Sequence, residues 1–381
     1  MAAKTQSYGS QKRVSGWLVN LVLIIICLVW LLPVIGLLIT SLRNSTDIFN
    51  TGWWTIFPHR VYQNTRQIKV DPSINLDGSF QFLGMTTSFD ELRNGLILPA
   101  PVTLSDGTTL AQGTKLTWFG NKRTLTIDVS ERKWVGFSTN LSLQNYTNVL
   151  SGQPVTFKDA TGRDVVTRGP DLGSSFLNSI AVTIPATIIP ILIAAFAAYG
   201  FAWLNFPGRK TLFIGVVAML VVPLQIALVP ILQAYTSLDL NGTFLGIWLA
   251  HTGFGLPLAT YLLFNYMATL PREILESAFL DGASNFTIFQ RLILPLSVPA
   301  LASFAIFQFL WVWNDFLVAL VFLGDKNRVV TSALANLVGE RGQDWHLLTA
   351  GAFISMVLPM VVFFALQRYF VRGLMAGSVK G

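Results

Sequence analysis

Long apolar stretches separated by short polar segments dominate the pattern of this chain. Six of them approach or exceed the roughly 20 residues that an α-helix needs to cross a bilayer. The six stretches are Leu18 to Ile39, Phe176 to Trp203, Leu212 to Ala234, Phe244 to Met267, Pro299 to Leu323 and Leu347 to Phe370. The pattern therefore predicts an all-α integral membrane protein with six transmembrane helices.

Composition supports this prediction. Of the 381 residues, 52% are hydrophobic and 12% are charged, whereas a soluble domain carries about 25% charged residues. The first apolar stretch is too long for a cleaved signal peptide, and no small-x-small cleavage site follows it before Arg43, so we predict a membrane helix over 18–39. Cys27 is the only cysteine, which excludes a disulfide within the chain.

Basic residues predict the orientation of the helices. Positive charge in short loops marks the cytoplasmic side. The residues concerned are Lys4, Lys12 and Arg13 before the first span, Arg209 and Lys210 between the second and third, and Arg368, Arg372 and Lys380 at the end. We therefore place 1–17, the loop 270–295 and the tail 373–381 in the cytoplasm. The net charge of +7 then reflects topology and an attraction to anionic lipid, and gives no reason to invoke nucleic acid.

The region 43–173 is expected on the extracytoplasmic side, and its composition differs from that of the spans. Two pieces, "TLSDGTTLAQGTKLTWFG" and "TLTIDVSERKWVGF", alternate apolar and polar residues around "DG", "QG" and "GN", which predicts hairpins. We interpret Pro58 to Val135 as a small β-rich domain, with a disordered loop as the alternative. Four tryptophans, at positions 53, 54, 118 and 134, argue against disorder, and anchoring at the membrane surface is another explanation for some or all of them.

The segment from Leu270 to Pro295 is too polar to cross a bilayer. Pro271 suits the first turn of a helix, and Glu273 and Glu276 favour its N-terminal half, so we predict a helix from Arg272 to Leu280. Its apolar stripe consists of Ile274, Leu275, Ala278 and Phe279.

A glycine corner and a second helix are predicted to follow. Gly282 supplies the left-handed position that ends a helix, and Ser284 is suited to cap the next one. The stripe of that second helix is Phe286, Phe289 and Ile293, and Pro295 marks the re-entry into the membrane. The Asp281 carboxylate opposes the helix dipole, which predicts another task for it, such as capping the second helix or pairing with a basic group.

Two interpretations fit this helical hairpin. It rests on the lipid surface as an amphipathic element, or it is a rigid knob that seats in a groove of a cytoplasmic partner. The acidic residues Glu273, Glu276 and Asp281 oppose adhesion to anionic lipid, so the sequence favours the protein partner.

The quoted residues also carry a resemblance. "ESAFLDGASNFTIFQRLILP" resembles the EAA loop of permease subunits in binding-protein-dependent ABC importers. Glu276, Ala278, Gly282, Leu294 and Pro295 match that motif, while Ser277 and Leu292 replace an alanine and an isoleucine. The tail "RGLMAGSVKG" is similar to the carbohydrate, maltose-type branch. The external insertion and "LGIWLAHTGFGLPLATYLL" look most like α-glucoside permease subunits. This likeness implies an α-glucoside as substrate, such as maltose, sucrose or trehalose, and leaves open which one.

The resemblance implies a permease core over 174–372 in a bacterial inner membrane. It implies ATPase-coupling roles for Glu276, Ser277, Ala278, Asp281, Gly282, Leu294 and Pro295. The expected partners are a second permease subunit, two ATPase subunits that bind ATP and Mg, and an extracytoplasmic sugar-binding protein. This chain is then expected to be no enzyme and to carry no cofactor, and indeed "FPGRKT" at 206–211 lacks the Gly-Lys pair of a phosphate-binding loop.

The rival functions are an ion-driven secondary transporter and a membrane sensor. The first predicts more spans or an internal repeat, and the second predicts a cytoplasmic signalling domain.

Polar residues inside the predicted fifth span are candidates for a substrate pathway. Asn314 and Asp315 lie between Trp311 and Phe316, and an acid at this depth is costly unless it faces a wet cavity or a partner. Trp311 and Trp313 add the aromatic faces that sugars stack on, whereas a structural role in bonding a broken backbone is the alternative. Gln225 and His251 are weaker candidates, and no cluster with metal-ligand spacing is visible.

Overall fold

The computed structural model describes residues 7–44, 47–48, 51–138, 140–152, 155–158, 164–167, 171–339 and 345–376. The chain divides into two compact units. One comprises Met1–Ser45 and Ser142–Gly381, and the other comprises Thr46–Leu141.

The described helices are numbered in chain order across both units. They are α1 Ser7–Ser41, α2 Phe89–Asn94, α3 Gln144–Ser151, α4 Leu172–Trp203, α5 Arg209–Ala218, α6 Leu224–Ser237, α7 Phe244–Met267, α8 Arg272–Leu280, α9 Asn285–Ile288, α10 Leu294–Trp313, α11 Leu317–Phe322, α12 Val330–Gly339 and α13 Trp345–Ala376. Short 3₁₀ turns cover Trp53–Ile56 and Met219–Val221, and a π-helical turn covers Phe289–Ile293.

Five helical segments among the described residues are long and apolar enough to cross a membrane. They are Gly16–Ser41, Leu172–Trp203, Phe244–Met267, Asn285–Trp313 and Trp345–Arg368. The mostly helical membrane architecture is thereby confirmed. Pro185 and Pro190 leave α4 continuous, as expected where neighbouring groups satisfy the freed carbonyls.

The predicted third span, Leu212 to Ala234, is wrong as a single helix. Arg209–Val221 and Leu224–Ser237 meet at a bend of 103°. Val222 and Pro223 between them have extended backbone, with ψ of 116° and 127°. Proline cannot donate a hydrogen bond and disfavours helical backbone in the residue before it, so Pro223 makes Val222 extended and the first segment ends at Val221.

The bounds predicted for the fifth span, Pro299 to Leu323, are also wrong. The helix starts at Asn285, passes through the π turn, ends at Trp313 and is followed by the separate helix α11. Pro295 lies in the first turn of α10, inside a continuous helical path, and its place at the re-entry into the membrane stays a prediction. A proline clashes with the carbonyl four residues earlier, and the π turn widens the helix where that carbonyl lies, with the Leu294 N–H donating to Phe289 O.

The second unit contains the β-rich domain expected after the first helix. Its strands are β1 His59–Lys69, β2 Ser79–Phe82, β3 Met85–Ser88, β4 Leu96–Ile97, β5 Val102–Thr103, β6 Thr109–Leu110, β7 Lys115–Trp118 and β8 Thr126–Val135. Strands β1, β8, β7 and β4 form an antiparallel sheet in that order. In the other unit, β9 Val155–Lys158 pairs with β10 Asp164–Thr167.

A separate hydrophobic core excludes the disordered-loop alternative for this region. Its fully buried side chains are Leu92, Leu98, Leu110, Leu116, Ile127 and Val129. The first predicted hairpin piece folds as β5 and β6 around Asp106 and Gly107. The predicted turn at Gly120 and Asn121 is confirmed, because β7 pairs with residues 127–130 of β8 across it as an antiparallel hairpin. The second piece forms no hairpin within itself, since β8 is one strand that pairs along its length with β1.

Candidate functional site

The corner of the hairpin 270–295 is built by backbone hydrogen bonds. Asp281 follows α8, and Gly282 has φ of +74°. The Gly282 N–H donates to Phe279 O (3.0 Å) and the Ala283 N–H donates to Ala278 O (3.1 Å). This pair of bonds is the Schellman motif, which satisfies carbonyls at the end of a helix and fixes the direction of the chain beyond it.

The second helix starts immediately after this corner, as predicted. Ser284 Oγ accepts a hydrogen bond from the Thr287 N–H (3.2 Å) and caps α9. From α9 the helical path continues through the π turn into α10. The hairpin is therefore joined to a membrane-spanning segment without an intervening loop.

The inner side of the hairpin packs into the helix bundle. Phe289 stacks on Phe196, with ring centroids 4.2 Å apart, and also contacts Tyr199. The cluster around them is formed by Leu275, Ile288 and Ile293 of the hairpin, Ala194, Ala195 and Ala198 of α4, Ala259, Leu263 and Met267 of α7, and Phe304 of α10. The Trp203 Nε1–H donates to Met267 O (3.0 Å) beside it. The hairpin is thus fixed to α4, α7 and α10.

The outer side of the hairpin is exposed and carries both apolar and charged groups. Leu280, at the tip, is 89% exposed, and Phe286 is 62% exposed. Ile274 and Phe279 also face outward, and so do Arg272, Glu273, Glu276, Ser277 and Asp281. Side chains of this kind on one rigid element provide a surface that another protein can cover.

Two predictions for the hairpin need correction. Phe286 does not share the buried stripe of the second helix, because Ile288 takes that place beside Phe289 and Ile293. Within the described residues the Asp281 carboxylate neither caps α9 nor pairs with a basic group, since Ser284 provides the cap. Of the predicted coupling residues, Glu276, Ser277, Asp281, Gly282 and Pro295 are exposed, and Ala278 and Leu294 are half-buried.

A second polar arrangement lies at the break between α10 and α11. The Asp315 carboxylate accepts hydrogen bonds from the Ala319 N–H (3.0 Å) and the Val318 N–H (3.4 Å). Buried His251 on α7 brings its Nε2 to 3.8 Å from the same carboxylate. The Thr331 hydroxyl donates to Asp315 O (2.6 Å). Asp315 therefore caps α11 at a break in the helical path, and the prediction that it lies well inside a continuous span is wrong.

The other pathway candidates are not brought into one cluster. Trp311 is partly exposed and contacts the His251 ring edge-on at 5.2 Å. Trp313 is buried between Phe176 and Phe309, and its Nε1–H donates to Ser355 O. Asn314 is exposed and donates to Leu310 O. Gln225 is exposed in the first turn of α6, beyond the bend. A role of these residues in a substrate pathway stays a prediction.

The helical bundle and its hairpin define the fold of an ABC importer permease. The fold matches the crystal structure of a bacterial ABC transporter involved in the import of the acidic polysaccharide alginate, with a TM-score of 0.57 over 97% of this chain and 100% of that one, at 15% sequence identity. The chain belongs to the family of binding-protein-dependent transport system inner membrane components, whose model matches residues 171–375. It is therefore a multi-pass permease subunit and not an enzyme.

Two relatives match this chain over nearly its whole length, and a third matches about two thirds of it. The chain is 47% identical to the alpha-glucoside transport system permease protein AglG of Rhizobium meliloti (strain 1021), over 96% of this chain and 97% of that protein. It is 45% identical to the osmoprotective compounds uptake permease protein GgtD of Synechocystis sp. (strain ATCC 27184 / PCC 6803 / Kazusa), over 95% and 91%. The trehalose transport system permease protein SugB of Mycobacterium tuberculosis (strain CDC 1551 / Oshkosh) is 34% identical over 64% of this chain and 90% of that protein.

Sequence reasoning missed three features of the site. The first is the exposed tip of the hairpin, Leu280, which lies outside the predicted stripe of α8. An apolar residue at the end of a helix and away from its apolar stripe is the signal that could have identified it. The only local signal for the π turn at Phe289–Ile293 is Pro295, which lies two residues after the turn ends. The contacts of Thr331 and His251 with Asp315 join residues far apart in sequence, and no local pattern indicates them.

Proposed function

We propose that this chain is the membrane-spanning permease subunit of an importer for a carbohydrate, an α-glucoside such as maltose, sucrose or trehalose. We further propose that ATP hydrolysis on a separate subunit is coupled to alternating access through the hairpin 270–295. One observation carries the proposal. The hairpin has a hydrogen-bonded glycine corner, an inner side packed into the bundle, and an exposed outer side of apolar and acidic residues.

The hairpin is suited to transmit force because it is stiff and firmly seated. Leu275, Ile288 and Phe289 are buried against α4 and α7, and the helical path runs on into α10. Closely packed interiors resist deformation, so a push on α8 and α9 displaces the three helices together. Rigid-body rocking of such a bundle against a partner bundle opens the pore alternately to the two sides of the membrane.

The proposed assembly contains two ATPase subunits, which bind ATP and Mg, an extracytoplasmic sugar-binding protein and a second, related but different permease subunit. The bent pair α5 and α6 supports the second permease. Its exposed apolar residues include Ile214, Met219, Val221, Ile226 and Val229. Non-helical backbone such as that at Val222 and Pro223 is tolerated at membrane depth only where it is buried in protein or lines a water-filled cavity. A partner permease would cover this backbone, and the pathway between the two permeases would supply the cavity.

We infer that the bent pair is a broken third span, which gives six spans and places both termini on the same side. Arg209 and Lys210 at its start, together with the basic residues near the two ends of the chain, support a cytoplasmic location for the termini and for the hairpin. The resulting localisation is a bacterial inner membrane, with 43–173 outside.

The α-glucoside assignment rests on the relatives. The alpha-glucoside permease protein of Rhizobium meliloti covers nearly the whole chain, including the β-rich region, and a trehalose permease protein is a further relative. We propose that Trp311 and Asn314, both exposed next to the capped break at Asp315, line the substrate pathway. Trp313 and Gln225 are secondary candidates. Trp313 would support the pathway lining formed by Trp311 and Asn314, and Gln225 would lie at the interface with the second permease.

Reconstitution into proteoliposomes tests the proposal. The chain is co-purified with its ATPase subunits and second permease, and uptake of labelled maltose, sucrose and trehalose is measured with and without ATP inside and the binding protein outside. We expect uptake of one or more of these sugars only when both are present. Uptake driven by a proton or sodium gradient without ATP would instead identify a secondary transporter.

A further inference from the structure

Entry and exit of the chain in the β-rich unit lie side by side at one end of the sheet. The Ser138 N–H donates to Ile56 O (2.9 Å), and the rings of Phe57 and Phe137 are 6.2 Å apart. We call residues 53–60 and 132–138 the sheet base. Because α1 precedes this unit and the other membrane-spanning helices follow it, both covalent connections to the membrane part of the chain leave from the sheet base.

The sheet base exposes large aromatic side chains. Phe137 is 69% exposed, Trp134 67% and Trp54 62%, and these are the three most exposed large apolar side chains among the described residues of Thr46–Leu141. By contrast Trp118, which lies outside the sheet base, is buried in the core of the unit. The tryptophans of this region therefore differ in exposure. Trp118 is buried in the core, Trp53 is half-buried against Trp54, and Trp54 and Trp134 are largely exposed.

Cations accompany the exposed rings. Arg60 lies opposite Trp134 in the sheet, and its guanidinium is 5.2 Å from the centre of the indole ring. Arg132 lies two residue pairs further along the sheet, opposite Tyr62, with its guanidinium 5.7 Å from that ring. On the other face of β8, Lys133 is also exposed. Within 53–60 and 132–138 there is no Asp or Glu, so the sheet base is purely cationic.

We propose that the sheet base is a membrane anchor that inserts its aromatic rings among lipid headgroups. Tryptophan and other amphipathic rings favour the depth at which hydrocarbon meets water, and arginine and lysine beside them pair with anionic phosphates. At the sheet base the chain is joined to membrane-spanning helices in both directions along the sequence. We therefore prefer lipid over a protein as the partner of this surface. This inference depends on the chain spanning a bilayer, and it holds whichever solute the importer carries.

Spin labels in the full-length chain test the anchor. Cys27 is replaced by serine, and a nitroxide is attached at Gly136→Cys, where an added side chain meets no atom within 4 Å and no ring is removed. The matched control is Arg123→Cys, an exposed residue beyond the opposite end of β8, about 30 Å along the strand at 3.4 Å per residue. Both variants are placed in nanodiscs of phosphatidylcholine with and without phosphatidylglycerol.

Relaxation by oxygen, which concentrates in lipid, is compared with relaxation by a water-soluble nickel chelate. We expect the label at 136 to favour oxygen and the label at 123 to favour nickel. The double substitution Trp134→Ser and Phe137→Ser should bring the ratio at 136 towards that at 123, without a change in thermal unfolding because both rings are exposed. Equal nickel access at the two positions would overturn the proposal. So would protection of 136 that arises only when the second permease or the binding protein is added, which would identify a protein occupant.

Discussion

The ring of Phe289 in the hairpin lies stacked on the ring of Phe196 in α4, with 4.2 Å between the centroids and 27° between the planes. Phe289 is 3% exposed and belongs to the cluster that joins α4, α7 and the hairpin. By contrast Phe286, three residues earlier on the same element, is 62% exposed. The two phenylalanines thus mark the inner and the outer side of the hairpin.

Alanine substitutions of these two rings should have different effects. Phe289→Ala opens a cavity on the inner side of the hairpin, and we expect a loss of about 3 to 5 kcal/mol in the free energy of unfolding, as for other buried phenylalanines. Phe286→Ala should leave stability almost unchanged and weaken co-purification with the ATPase subunit. Thermal unfolding in detergent and pull-down yields measure the two effects, and equal destabilisation by both would contradict the assigned inner and outer sides.

The corner at Gly282 should tolerate no other residue without loss of transport. Its φ of +74° costs an L-residue about 1 to 2 kcal/mol, even though an added Cβ meets no atom within 4 Å. Gly208, with φ of +78° and equally open surroundings, is a matched control outside the hairpin. We expect Gly282→Ala to reduce uptake clearly more than Gly208→Ala, and Gly282→Pro, which also removes the bond to Phe279 O, to abolish it. Similar uptake in the two alanine variants would refute a special role for the corner.

Charge on the outer side should matter for the partner and not for the fold. Glu276 is exposed, so Glu276→Lys should insert into the membrane at normal levels. We expect it to abolish uptake, because in the proposed coupling role the reversed charge would face the ATPase subunit. Glu276→Gln, which removes the charge but keeps the size, should retain part of the uptake. Membrane yield and sugar uptake are measured together, and normal uptake by Glu276→Lys would disprove the assignment.

Asp315 should act first as a helix cap. Asparagine can replace aspartate as a cap, whereas alanine cannot, and we expect Asp315→Ala to cost about 1 kcal/mol in stability while Asp315→Asn costs less. If Asp315→Asn is stable but transports poorly, the negative charge itself serves the pathway. Asn314→Ala is the control for the exposed neighbour. Unfolding and uptake of the three variants are compared, and equal stability of Asp315→Ala and the unsubstituted chain would exclude the capping role.

The hairpin could be predicted from the sequence because its determinants are local. Gly282 and Ser284 act within a few residues of their own positions, through a positive φ and a side-chain cap. The β-rich region was recognisable for the same reason, since Gly107, Gly113 and Gly120 all have positive φ in its turns.

The breaks in the membrane part could not be placed in this way. Pro185, Pro190 and Pro223 look alike in sequence, yet only Pro223 separates two helices, because the packing around α4 keeps that helix continuous. The break after Trp313 has no proline or glycine to mark it. It depends on bonds from Thr331 and on the nearby His251, which only the tertiary fold brings to Asp315.

Photo-crosslinking from the tip of the hairpin in intact cells tests the central claim most directly. A photoreactive residue is placed at Leu280, the exposed tip, and at buried Leu275 as the control. The account predicts that Leu280 captures an ATPase subunit, identified by mass spectrometry, and that Leu275 gives products within the chain only. Capture of lipid alone at Leu280, in cells that take up the sugar normally, would contradict it.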